Sequence, residues 1–133
     1  MRGQWTKVAA LGAFCAAATT VWGQEEPLAV PSGIAMTLLE VLEETQPDGS
    51  VWLRFRYVAP GITRDQYDRI QDDFAALCES EAVTYRTVTR APASQAVISI
   101  AAAPVEFGTT APEIPQFFEA FRLEDGACIW EGF

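Results

Sequence analysis

Histidine is missing from all 133 residues, and the one lysine, Lys7, stands near the start. Without an imidazole there is no Ser-His-Asp or Cys-His arrangement and no general base tuned close to neutral pH. Zinc centres built on histidine are excluded as well, and two thiolates cannot close a tetrahedral site alone. Beyond Lys7 the chain offers no Schiff base, no phosphate-loop lysine and no Ser-Lys dyad. Any catalysis falls to carboxylates, arginine, tyrosine or a cysteine thiolate. The sequence therefore assigns no catalytic residue, no metal-ligand set and no cofactor. Positive charge is also scarce: nine Lys and Arg face eighteen Asp and Glu, a formal net charge of −9. Such a chain repels phosphate backbones and anionic lipid surfaces, so nucleic acid is not an expected partner, whereas neutral or cationic molecules are.

Cysteine is sparse too, with three in the chain. Cys15 lies in an N-terminal stretch with the three parts of a secretory signal: Arg2 and Lys7, an uncharged alanine-rich run over Val8–Val21, and Val21-Trp22-Gly23 before the polar Gln24-Glu25-Glu26. The run is shorter than the roughly 20 apolar residues that span a bilayer. Phe14, just before Cys15, is too large for a lipoprotein acylation site. The expectation is export to the periplasm or medium, with residues 1–23 removed and no membrane insertion of the remainder. Residues 24–33, with Pro27 and Pro31, read as an exposed arm. Residues 34–133 are the length of one domain. Cys78 and Cys128 then form an even pair in an oxidising compartment, hence an expected disulfide. The pair lacks the Cys-x-x-Cys spacing of a redox centre. Closing a loop of that size stabilises by about 4 kcal/mol in the loop-entropy model.

Along the domain, Ile34–Glu44 fits a helix through Leu38, Val41 and Leu42, or a strand face through Thr37, Leu39 and Val41. The turn residues Gln46-Pro47-Asp48-Gly49-Ser50, followed by the β-rich Val51–Val58, favour a hairpin and hence the strand. Alternation sends Val51, Leu53, Phe55 and Tyr57 to a core face and Trp52, Arg54, Arg56 and Val58 to the other. Thr63 and Gln66 make a capping box. Tyr67, Ile70, Phe74, Leu77 and Cys78 then mark the apolar stripe of a helix over Arg64–Ser80. Val83–Thr89 alternates as an edge strand, Ala91–Ser94 reads as a loop and Ala96–Ala101 as a buried strand. Gln116–Leu123 and Ala127–Trp130 flank the hairpin dipeptide Asp125-Gly126. The fold expected is α+β, in the order β-β-α-(β)-β-β-β: an antiparallel sheet of four to five strands with one amphipathic helix packed on one face.

Three residue groups are candidates for chemistry. Asp65, Asp68, Asp72 and Asp73 lack the order of a calcium loop and read as a solvated helix face, with Asp65 and Asp73 each four residues from Arg69. Glu106, Glu113 and Glu119 show no spacing that selects a glycosidase pair. Trp52, Arg54 and Arg56 share a strand face, with Arg122 expected nearby. Arginines beside an aromatic ring suit a carboxylate or an acidic peptide. The structural counterpart is cross-strand pairing with Glu40, Glu44 or Glu119. Phe117, Phe118 and Phe121 read as core.

Pro31-Ser32-Gly33, Trp52 to Pro60, Val97-Ile98-Ser99-Ile100, Glu106-Phe107-Gly108 and above all the tail from Gln116 to Phe133 resemble a family of small exported bacterial proteins, a domain of unknown function. The resemblance covers most of the chain after the leader and brings no activity or site with it. An acetolactate synthase label carried by some members is not supported here. The diphosphate-binding Gly-Asp-Gly and its downstream asparagine are absent, and such enzymes are far larger. The functional expectation is a non-catalytic binding or envelope-associated module meeting a protein or small ligand through Trp52, Arg54, Arg56 and Arg122. The alternative is a small hydrolase working with carboxylates and no histidine. The oligomeric state is left open.

Overall fold

The turn after the first strand follows from its residues. Gly49 adopts φ +89°, a region that side chains oppose. Asp48 accepts the Ser50 N–H at 2.9 Å, and the chain reverses. In the computed structural model, which describes residues 28–132, β1 (Thr37–Thr45) and β2 (Val51–Val58) pair antiparallel across that turn. The expected leader, residues 24–27 of the expected arm and Phe133 lie outside the described residues.

After β2, Gln66 accepts the Thr63 N–H at 2.9 Å, which satisfies one orphan donor of the helix start. A 3-10 turn (Arg64–Gln66), α1 (Tyr67–Leu77), a π-helical turn (Cys78–Ala82) and α2 (Val83–Thr89) form one continuous helical run. The run ends at Arg90, which sits in the left-handed region with φ 58°. β3 (Ala93–Ala101), β4 (Gln116–Glu124) and β5 (Ala127–Glu131) complete the chain. Asp125 and Gly126 both take positive φ, 51° and 75°, the backbone of a two-residue hairpin turn between β4 and β5.

The α+β class and the five strands match expectation, but the sheet is mixed. Its order is β1-β2-β3-β4-β5; β2 and β3 run parallel, and the other neighbours run antiparallel. A parallel pair needs a long crossover, and the helical run supplies it. The expected edge strand over Val83–Thr89 is α2 instead. The Thr87 and Thr89 hydroxyls donate back to the carbonyls of Val83 and Tyr85, at 2.9 and 2.7 Å, bonds that satisfy the hydroxyls but do not themselves favour the helix. Val83 and Tyr85 meanwhile pack against the core. The loop expected over Ala91–Ser94 is shorter, since β3 begins at Ala93. In β1, a bulge at Leu39 shifts the register. Leu38 and Val41, not Leu39, therefore face inward, and Leu39 is exposed.

The helical layer covers one face of the sheet. There Leu53, Phe55 and Tyr57 of β2, Ile98 and Ile100 of β3 and Phe121 of β4 meet Ile70, Phe74 and Leu77 of α1, all buried. Each large apolar side chain so enclosed stabilises by about 1.5–3 kcal/mol. Cys78, fully buried at the end of the stripe, is bonded to Cys128 of β5 with 6.3 Å between Cα atoms. The disulfide ties the helical layer to the last strand.

Asp73 departs from the solvated-face reading: it is 0% exposed. Ser32 supplies its hydrogen-bond partners. Its backbone N–H donates to Asp73 Oδ1 at 2.9 Å and its hydroxyl donates to Oδ2, so the buried acid is hydrogen-bonded on both oxygens. The Asp73–Arg69 and Asp65–Arg69 pairs expected from spacing do not form, and Asp65 is bonded to Thr63. From Leu28 onward the expected arm is docked. Leu28 and Val30 pack partly on the core, which their apolar side chains favour.

Candidate binding face

The opposite face of the sheet carries no helix. Alternation in β2 places Trp52, Arg54 and Arg56 on it, and the bulge in β1 brings Glu40, Leu42 and Glu44 to the same side. Arg56 stands opposite Glu40, and Arg54 stands one diagonal from Glu44. Arg54 donates to Glu44 Oε1 through Nη2 at 3.0 Å and Nε at 3.3 Å. Glu44 is held below the ordinary carboxylate pKa first by that bond and then by the Gln46 amide. Arg56 is 6% exposed and donates to Glu40 and to the backbone carbonyl of Val105.

That second bond shows what Arg56 does. The irregular segment after β3 folds back over the outer face, and Arg56 fastens it at Val105. Phe107 follows, with its ring centroid 5.6 Å from the Arg56 guanidinium and 5.3 Å from that of Arg54. Arg54 also stacks over Trp52 at 5.9 Å. Beneath this segment lies a cavity of about 200 Å³, bordered by Arg54, Val97, Ser99, Phe107, Gln116 and Phe118. Phe107 and Phe118 keep 46% and 56% of their surface exposed, so both rings present carbon surface at its rim. A shallower groove of about 510 Å³ continues from Trp52 and Arg54 across Val97 to Phe118 and rounds β4 to Glu119 and Trp130.

Trp52, Arg54 and Arg56 thus cluster, but as a paired network and not as free cations. Arg122 shares the face at the level of Trp52, two strands away across Gln95. It lies outside the 200 Å³ cavity and pairs with Glu124 at 2.8 Å. Phe118 is a correction to the core reading. It has the parity of Ala120 and Arg122, so it points outward while Phe117 and Phe121 point in. The period-2 pattern of β4 contained that signal. Phe107 had none, because its position depends on the Arg56–Val105 bond between residues far apart in the chain.

Glu119 does not serve the arginines. It lies on the helix-covered side, where it accepts from the Tyr67 hydroxyl and from Trp130 Nε1, the latter at 2.6 Å. These groups border a second cavity of about 320 Å³. Each of these two cavities is bordered by one carboxylate, Glu106 in the first and Glu119 in the second, not by the two converging acids that glycosidase-type hydrolysis requires. Among the described residues no helix is long and apolar enough to cross a membrane.

A family model described as a family of unknown function, DUF6497, matches residues 10–133. No curated protein and no solved structure matches the chain.

Proposed function

The chain belongs to this family of unknown function, and from that premise we propose that it is an exported, non-catalytic binding module that meets a protein partner with the outer face of its sheet. The observation that carries the reading is the uncovered face itself. One sheet surface is covered by the helical layer, while the other bears a cavity with two exposed phenylalanines at its rim. Exposed aromatic surface beside a concavity is characteristic of recognition sites.

The ion pairs refine what the partner presents. Arg54 and Arg56 already have carboxylates, so an acidic group would have to displace Glu44 or Glu40. An apolar or aromatic side chain entering between Phe107 and Phe118 displaces nothing. Arg54, with 23% of its side chain exposed, can still stack on it or donate at the rim. The net charge of −9 favours a partner that is neutral or cationic around that side chain. The disulfide and the signal-like N-terminus support the export part of the reading.

The test is in-cell crosslinking of the exported protein, comparing wild type with Phe107→Ala/Phe118→Ala. Both side chains are largely exposed, so the double variant should fold. Loss of the crosslinked species in the variant, with Arg122→Ala retaining it, is the expected result. Equal crosslinking in all three proteins would sink the assignment of the face.

A further inference from the structure

The second cavity has a different chemistry. It lies between α1 and the β4–β5 hairpin and is bordered by Tyr67, Gln71, Phe74, Glu119, Phe121 and Trp130. Four of these are aromatic and one is a carboxylate; Phe74 and Phe121 form the buried floor at 0% and 2% exposure, and Tyr67 and Trp130 supply the accessible rings. Tyr67 stands 6.2 Å from Phe74 and 5.7 Å from Phe117 between ring centroids, so the aromatic lining continues beyond the cavity wall. Glu119 anchors the arrangement. The Tyr67 hydroxyl donates to one of its oxygens and Trp130 Nε1 to the other. The polar tips of both rings are thereby tethered to a single carboxylate, and the rings meet the cavity with their carbon surface. Trp130 is 62% exposed, which leaves the cavity open to solvent on that side.

Aromatic faces carry negative quadrupole density and attract cations within about 6 Å of the ring centre. A carboxylate beside them adds a full negative charge. We infer that this cavity is a binding site for an organic cation, specifically a quaternary ammonium group. The preference over a primary ammonium follows from Glu119. Both of its oxygens already accept a hydrogen bond, so a ligand with N–H donors to satisfy finds less to bond with. A quaternary ammonium has no donors and needs only negative potential and apolar contact, which the rings and Glu119 provide together. The acidic chain as a whole acts in the same direction. The raised pKa of Tyr67, pushed up to about 12 chiefly by its bond to Glu119, fits a phenol that keeps its proton and donates it to that carboxyl group.

The experiment uses the full exported protein, with the disulfide intact, and follows Trp130 Nε1–H by NMR during titration. Choline is the probe, and 3,3-dimethylbutan-1-ol, its uncharged carbon isostere, is the comparison, with matched sodium chloride as the ionic-strength reference. The expected result is a saturable shift with choline and an affinity about fivefold weaker for the isostere, the size of one cation–π contribution at a solvent-open site. Glu119→Gln should weaken choline by a similar factor. Trp130→Ala, followed by calorimetry because its reporter is gone, should abolish binding; its exposed position makes a folding defect unexpected, and a melting curve checks that. Sedimentation with phosphatidylcholine vesicles separates the two sources of the group. Co-sedimentation that choline competes away identifies a lipid headgroup, and choline binding without vesicle binding identifies a free small molecule. Equal affinity for choline and the isostere, or no saturable shift with either, overturns the proposal. Its failure leaves the outer-face reading untouched, because choline titration reports on Glu119 and Trp130 and not on Phe107.

Discussion

The two faces of the sheet solve different problems with similar materials. The inner face buries Leu53, Phe55, Ile98 and Phe121 under a helical layer and is locked by Cys78–Cys128. Most of its polar groups have a partner, Asp73 with Ser32, Glu119 with Tyr67 and Trp130, Glu43 with Tyr85, whereas the buried Tyr57 hydroxyl has none among the described residues. The outer face has no second layer. It neutralises Arg54 and Arg56 with Glu44 and Glu40, and leaves Phe107 and Phe118 in solvent. Stability is therefore concentrated on the inner face, and the outer is the face proposed to meet a protein partner. Arg56 is the exception: it points outward, yet it is buried and holds a loop in place.

Variants test that division. The largest effect should come from Cys78→Ala/Cys128→Ala, which removes a cross-link over a sequence separation of 50 and should cost about 4 kcal/mol. Urea unfolding of wild type and variant under oxidising conditions measures it. A loss of less than about 1 kcal/mol would show that helix and hairpin are held mainly by packing. Next, Arg56→Ala leaves Glu40 and the Val105 carbonyl unpaired and should cost about 1–3 kcal/mol. Arg54→Ala breaks a half-exposed pair and should cost only about 0.2–1 kcal/mol. Equal costs would remove the distinction between the strut and the rim. The smallest effect is the pH response, in which the faces fail at opposite ends. The folded-state pKa of Glu44 lies below 4.5, so its pair with Arg54 contributes above pH 4.5 and is lost as pH falls through the depressed value. Tyr67 rises from 10.0 to about 12, so its contribution is complete below pH 10 and is lost as pH climbs through 12. Thermal melts from pH 3 to 5 should separate wild type from Glu44→Gln, and the difference in alkaline absorbance between wild type and Tyr67→Phe should place the Tyr67 titration well above that of an unfolded control.

Much of the inner face was legible in advance. The stripe from Tyr67 to Cys78, the alternation of β2 and the two turns depend on neighbours within a few residues, and local chemistry specifies them. The parallel pairing of β2 with β3 was not legible, because either direction satisfies the same alternation. Nor was α2, whose β-branched residues prefer strand until the core contacts of Val83 and Tyr85 outweigh propensity. Asp73 looked solvated because its partner, Ser32, lies 41 residues away.

The same line divides the functional reading. Composition and local pattern were enough to exclude histidine and lysine chemistry, to pair the two domain cysteines and to place Trp52, Arg54 and Arg56 on one face. The tertiary structure decided which charges are already neutralised, which of the three phenylalanines in β4 faces solvent, and that Glu119 belongs with Tyr67 and Trp130. Each of those outcomes depends on partners brought together from distant parts of the chain, and the energy of a charge or an aromatic face is set by what stands next to it in space.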